Sequence, residues 1–336
     1  MQKASNKITR LSNGEQVDLA SLSIEDLYRL HFEEECWVTE KLLTYKAFSS
    51  ERSELLCKGY ELVSTIMLER ANKQGTKKVS FGADSQTINI LISLVREKCK
   101  HNKQVVMYEA GVGTGHSIAE VISHCTTAGG KVELSTDLSI KGCDVFLLPT
   151  AQALIGQFPN VDIDIEEGHV FDCIRKLPDN SIDIFYADNV FEHFIPDESE
   201  RIYSEIARKL KPDAYVFLVI PNRFVGPQDI SMYFLPFGSK AKGFHYMEMS
   251  FNDVANEMKK YSIFHSHCVF FIPKVGGFAI KNKVLLKIKL ALESTLAKIP
   301  NAFLRKLMFS VGGYSFSIMK FVDSHATDRE REAPPK

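Results

Sequence analysis

Three segments in the first hundred residues carry apolar side chains at helical spacing. Ser23, with Asp26 three positions on, makes a capping-box start, and Leu27 and Leu30 then open an apolar face. From about 53 to 72, Leu55, Leu56, Leu62, Val63, Ile66 and Met67 recur on one side of a second helix. After Ser85, Ile88, Leu91, Val95 and Cys99 define a third. From about 103 the period changes. Short apolar runs at 105–108, 131–136, 161–165, 182–186, 215–220, 265–272 and 315–322 predict seven strands. Helical repeats separate several of them. Ile118, Val121, Ile122 and Cys125 predict one helix. Ile202, Ile206 and Leu210 predict another, starting at Asp197 with Glu200 as its cap and ended by Pro212. Ser250 and Asp253 open a third. Strands alternating with helices give an α/β fold: a doubly wound, seven-stranded, mostly parallel Rossmann-like sheet with an N-terminal helical addition. The predicted division is 1–100 as a helical lid or packing region and 101–325 as the α/β domain. A basic helical insertion falls at about 274–310, and 326–336 is a flexible tail. Ligands of such sheets sit beyond the carboxyl ends of the strands, where strand order reverses.

Composition narrows the partners. Forty-one basic and 42 acidic side chains leave a net charge of −1, without the basic excess of a general nucleic-acid binder. No apolar run reaches the length of about 18 residues that a transmembrane helix needs, and no signal peptide is expected at the start. The seven cysteines include no C-x-x-C pair, and their scatter reads as reduced thiols of a cytoplasmic protein. The stretch 274–308 is the exception to the even charge, with eight Lys and Arg against Glu293 alone. There Val284, Leu285, Ile288 and Leu292 repeat at helical spacing, and Pro300 splits the stretch in two. Such a segment, at 281–308, either touches an anionic membrane surface or packs on the core with a solvated lysine face.

The candidate chemistry begins after the first strand, at Glu109-Ala110-Gly111-Val112-Gly113-Thr114-Gly115. Alternating glycines let the backbone turn sharply beside a ligand, and the helix that follows offers free N–H groups to an anion. A nucleotide P-loop would need a Lys after the glycines, and none follows. The dinucleotide fingerprint G-x-G-x-x-G fails by one place, at His116. E-x-G-x-G-x-G resembles the first motif of the class I S-adenosylmethionine-dependent methyltransferases. The resemblance continues through Asp137, L-P-D-N-S-I-D at 177–183, N-V-F-E-H-F at 189–194, E-I-A-R-K-L-K-P-D at 205–213 and V-I-P-N at 219–222. It covers roughly 103–325.

The resemblance implies S-adenosylmethionine as cofactor, held by Glu109, Gly111, Gly113 and Gly115, with Asp188 and Asn189 alongside. Asp137 is expected to close the second strand and grip the ribose hydroxyls. The third strand of the family often ends in Gly-Asp, but Gly168-His169 stands here, so His169 or a backbone N–H near Val170 is expected at the adenine. In the loop after the fourth strand, His193 is the candidate general base and Glu192 its orienter or an acceptor contact; a structural role for the pair is the alternative. His245 is a second base candidate. Asn222, Arg223 and Tyr246 are candidate substrate contacts, Arg223 pairing either with a substrate anion or within the protein. No metal site is expected, because His265 and His267 lack a third ligand. The expected activity is methyl transfer to a small molecule, sugar-bearing or lipid-linked, with oxygen slightly favoured over nitrogen. The alternatives are an NAD(P)-dependent oxidoreductase and a non-catalytic subunit that binds the cofactor.

Overall fold

The computed structural model describes residues 8–75, 85–125, 137–272, 276–296, 298–299 and 314–322. A short hairpin, β1 (Ile8–Arg10) and β2 (Gln16–Asp18), precedes α1 (Ile24–Leu42) and α2 (Ser50–Gln74). Ser23 and Asp26 close the predicted capping box on α1. Ser49 caps α2, and Gly75 ends it in the left-handed region. Then follow α3 (Ser85–His101), β3 (Gln104–Ala110), α4 (His116–Cys125), β4 (Asp137–Asp144), α5 (Pro149–Ile155), β5 (Asp162–Glu167), α6 (Val170–Arg175) and β6 (Ile182–Asp188). The rest is α7 (Pro196–Lys209), β7 (Leu210–Pro221), α8 (Phe251–Lys259), β8 (Ile263–Ile272), β9 (Gly276–Ile280), α9 (Lys283–Leu296) and β10 (Tyr314–Phe321).

The main sheet runs β5-β4-β3-β6-β7-β10-β8-β9. Strands β3 to β7 pair in parallel, β10 lies antiparallel between β7 and β8, and β9 pairs antiparallel with β8 at the edge. This is the doubly wound α/β fold, with two corrections. Among the described residues the sheet has eight strands, because β9 lies in the stretch expected to be a helical insertion. The second strand of the parallel set is β4, at 137–144; the predicted strand at 131–136 lies outside the described residues. Ser139 and Lys141 alternate with the buried Leu138 and Ile140 in β4, so its apolar pattern is half-diluted. In α7, Glu198, rather than Glu200, reaches back to the Ile195 N–H at 3.2 Å.

One core lies on the face covered by α3 and α4, where Leu91, Val95, Ile118 and Val121 meet Met107, Ile140 and Ile184. A second lies under α6, α7 and α8, with Phe185, Ile202, Ile206, Leu218 and Val254 buried together. Each such side chain contributes about 1.5–3 kcal/mol on burial. Helix α3 therefore packs with the sheet. Helices α1 and α2 pack on each other and reach over the loop at 243–246. Thr39 Oγ1 donates to the Gly243 carbonyl at 2.8 Å, and the Phe244 N–H donates to Glu35 at 3.1 Å. Helix α9 buries Leu286 beside Phe251 and Cys268, while Val284, Ile288 and Leu292 are exposed. Pro300 lies outside the described residues. Among the described residues, no helix is long and apolar enough to cross a membrane.

Candidate active site

The carboxyl ends of β3, β4 and β6 converge at the switch between β3 and β4 on one side and β6 on the other. Gly111, Gly113 and Gly115 have φ of +74°, +56° and +76°. A Cβ at Gly111 would overlap Cγ2 of Val190, so both the backbone conformation and the close approach require glycine there. Glu109 is buried at the end of β3. One of its oxygens accepts from the Ser117 hydroxyl, while the other, equally buried, has no partner among the described residues. Burial pushes this carboxyl up to about 8.

Asp137 does not close its strand. It is exposed and stands at the start of β4, opposite Gln104, at the far end of the sheet from the glycines. The acidic residue at the carboxyl end is Asp144. It accepts the Gly113 N–H at 2.7 Å and the Phe146 N–H at 3.1 Å, and burial raises its pKa. Misplacing the second strand toward the N-terminus made its first residue look like its last. His169 differs from expectation too. Its ring caps α6, accepting the Phe171 N–H at 3.2 Å, and lies 5.4 Å from both Phe48 and Phe194. Its side chain is occupied by the fold. Val170 starts α6 with its side chain in the core. Together the positive-φ glycines, the unpartnered Glu109 oxygen and Asp144 fit a ligand carrying an ammonium and a vicinal diol, as S-adenosylmethionine does.

The loop after β6 contains the second feature. Asp188 ends the strand and accepts from the Tyr186 hydroxyl at 3.1 Å and the Asn189 side chain at 2.9 Å. Asn189 turns the chain with φ of +55°. The Glu192 carbonyl then accepts the N–H groups of Tyr246 at 2.7 Å and Met247 at 3.0 Å. That double contact ties two loops together and brings His245 to His193, with ring centroids 5.0 Å apart. Each imidazole is oriented through Nδ1. His193 donates to the Phe244 carbonyl at 3.1 Å, and His245 meets Glu248 at 3.1 Å. Both Nε2 atoms are 3.9 Å from Oε1 of Glu192. The Glu192 side chain is 0% exposed, and neither of its oxygens has a hydrogen-bond partner among the described residues. Tyr60 of α2 lies edge-on to His193 and against Phe244.

Burial pushes Glu192 up to about 8 and, with His245 beside it, His193 down to about 3. His245 is raised: burial alone would lower it, but the Glu248 contact and the charge of Glu192 outweigh that. Of the two, His245 is therefore the stronger proton acceptor. The ligand atoms of Glu192, His193 and His245 all lie within 4.8 Å of one another. Individually each was a candidate in the sequence. That the three form a set able to hold a cation was not foreseen, since His245 lies 52 positions beyond His193.

The remaining candidates are mostly engaged elsewhere. Asn222 is buried, donating to Glu293 and Ser315 and accepting the Phe224 N–H, so it joins β7, β10 and α9. Arg223 pairs with Asp253 at 2.5 Å and stacks on Phe224. Tyr246 stays beside the cluster, with Arg52 over its ring. His265 stacks on Phe251 at 3.9 Å and does not pair with His267, which meets Ser266.

Residues 108–218 match a family model described as a methyltransferase domain. This stretch runs from β3 to β7 and includes the glycine loop, Asp144 and the Glu192–His193 segment. Over that stretch the chain is thus similar to a methyltransferase domain. Among solved structures, it is similar to a Burkholderia thailandensis 1,6-didemethyltoxoflavin N1-methyltransferase bound to its substrate and S-adenosylhomocysteine. Identity is 12% over 83% of this chain and 93% of that one, with a TM-score of 0.47. A sarcosine dimethylglycine methyltransferase assignment from Galdieria sulphuraria matches at 12% over 75% and 97%, with a TM-score of 0.44. A Haemonchus contortus phosphoethanolamine N-methyltransferase 2 matches at 15% over 70% and 52%, with a TM-score of 0.44. A comparison with curated proteins finds no match.

Proposed function

We propose that the chain transfers a methyl group from S-adenosylmethionine to a small-molecule acceptor, at oxygen in preference to nitrogen. The observation that supports this reading is the buried Glu192–His193–His245 cluster, enclosed beneath α1 and α2 beside the glycine loop. The cofactor, when bound, supplies a methyl carbon already activated on a sulfonium. Gly111, Gly113 and Gly115 would hold it at close backbone approach. The free oxygen of Glu109 would accept from its ammonium, and Asp144 would take the ribose hydroxyls, the role expected of Asp137. Asp188 and Asn189 stand next along the strand ends.

The displacement itself needs alignment and dryness more than it needs a strong acid or base. Tyr60, Phe244 and the α1–α2 cover leave the His193 and His245 side chains only 20% and 10% exposed. An acceptor hydroxyl meeting Nε2 of His245 would give up its proton there, with Glu248 holding the ring. The covered position suits an acceptor small enough to be enclosed, in keeping with a sugar-bearing or lipid-linked molecule rather than a nucleic acid.

Incubating the full chain with labelled S-adenosylmethionine and fractionated cell extract tests this. Label is expected in the small-molecule ultrafiltrate, on oxygen. Label confined to protein or nucleic acid would overturn the acceptor class, and label on nitrogen alone would overturn the preferred atom.

A further inference from the structure

Glu192 presents two buried carboxylate oxygens without a hydrogen-bond partner among the described residues, a state rare enough in folded proteins to require an explanation. Two imidazole nitrogens face it. Both are Nε2 atoms, both 3.9 Å from the same Oε1. In each ring Nδ1 is engaged by an acceptor, the Phe244 carbonyl for His193 and the Glu248 carboxylate for His245. A neutral imidazole that donates through Nδ1 must present its lone pair at Nε2. In that neutral state, the one a metal ion requires, both rings turn a ligand lone pair toward the carboxylate.

From this geometry we infer that Glu192, His193 and His245 form a binding site for one divalent first-row transition-metal ion, to which the methyl acceptor's oxygen binds. The chemistry of the donor set selects the ion class. Two imidazoles and a carboxylate suit zinc, cobalt, manganese or ferrous iron better than magnesium or calcium, which favour all-oxygen shells. Bonds of about 2.1 Å in a tetrahedral site put ligand atoms about 3.4 Å apart, so shifts of about half an ångström close the cluster on an ion. Three protein donors leave at least one coordination position open. The Glu248–His245 contact is the outer-shell carboxylate that commonly fixes a metal-binding histidine.

Two further observations agree. The loops are already fastened in the converged arrangement by the Glu192 carbonyl, so the site does not await a large rearrangement. Gly243, one residue before Phe244, has no room for a side chain: a Cβ there would overlap carboxylate oxygens of Glu35 and Asp229. The backbone carrying the Phe244 carbonyl and His245 is thereby held against α1. With an ion in place the two histidines act as ligands instead of bases, and an acceptor hydroxyl loses its proton to bulk water as its oxygen binds. The acceptor is then a hydroxyl-bearing molecule, best one with a second oxygen able to chelate. This inference rests on the methyl-transfer reading for the identity of the acceptor, though not for the ion.

The test uses the full chain stripped with a chelator. Zinc is titrated calorimetrically and cobalt by visible absorption, with S-adenosylmethionine binding measured on the same preparation. One ion per chain is expected, with affinity falling at least 100-fold in Glu192→Gln and His245→Gln. In Glu248→Gln, which deletes no ligand, a fall of about 10–100-fold is expected, with the circular-dichroism spectrum retained. Absence of binding by the wild-type chain would overturn the inference. So would binding that is equal in wild type, His193→Gln and His245→Gln, which would place the ion on other groups such as the cysteines. Ion binding without S-adenosylmethionine binding would sink the proposed function but leave the metal site. The reverse result would sink the site alone.

Discussion

Replacing Arg52 by Met tests how the N-terminal helices are fastened over the cluster. The Arg52 guanidinium is 3% exposed and meets both oxygens of Glu198, at 2.5 and 3.0 Å. A further N–H reaches the Leu42 carbonyl at the end of α1. Glu198 is equally buried, and its second oxygen also accepts the Ile195 N–H that starts α7. One side chain therefore joins α1, α2 and α7. Arg52→Met keeps most of the apolar stem and leaves Glu198 buried with a single N–H for a partner. An uncompensated buried charge of that kind costs about 3–5 kcal/mol. Glu198→Gln creates the mirror defect at Arg52. The double variant removes both charges, so its loss should fall short of the sum of the single losses by about 1–3 kcal/mol. Urea unfolding of the four proteins at neutral pH supplies the cycle. A loss below about 1 kcal/mol for Arg52→Met, or strict additivity, would refute the reasoning, because it would mean that water reaches the pair.

Gly111→Ala forces a Cβ into Val190 at φ of +74°. It should destabilise the chain by about 1–3 kcal/mol and weaken S-adenosylmethionine binding at least tenfold; unchanged values in thermal melting and calorimetry would refute this. Asn222→Ala should cost about 1–3 kcal/mol in urea unfolding through Glu293 and Ser315, without reducing methyl transfer; a fall in turnover at retained stability would restore it as a substrate contact. Burial lowers His265 from 6.5 to about 3. Its folded pKa is depressed, so the unfolded chain takes up the proton first as pH falls; the stability it contributes is full above pH 6.5 and is lost progressively toward pH 3. That loss is about 2 kcal/mol by pH 5. His265→Phe should flatten the decline between pH 7 and 5 in urea unfolding, and an unaltered slope would refute the assignment.

Features carried by neighbours in the chain were legible. The Ser23–Asp26 and Ser250–Asp253 capping boxes need only a spacing of three, and both form. The glycine loop was legible because three left-handed positions in five residues leave few alternatives to glycine. Strand β4 was not, because Ser139, Lys141 and Asp137 dilute its alternation, and Asp137, expected at its carboxyl end, stands at its start. His169, Asn222 and Arg223 were sound candidates by residue type. Their roles depend on Phe48, Glu293 and Asp253, and no local pattern announces partners so far along the chain. The same holds for the cluster. His193 and His245 could be picked out one at a time, but their meeting is set by backbone hydrogen bonds from the Glu192 carbonyl across 54 and 55 positions.

The central claim is that the strand ends between Gly111 and Asp144 bind S-adenosylmethionine. Calorimetric titration of the wild-type chain, Asp144→Ala and Asp137→Ala with S-adenosylmethionine and S-adenosylhomocysteine tests it most directly. The account predicts micromolar binding of both by the wild type, a loss of at least tenfold in Asp144→Ala, and none in Asp137→Ala. No binding by the wild type, or binding of NAD(P) in its place, would contradict it.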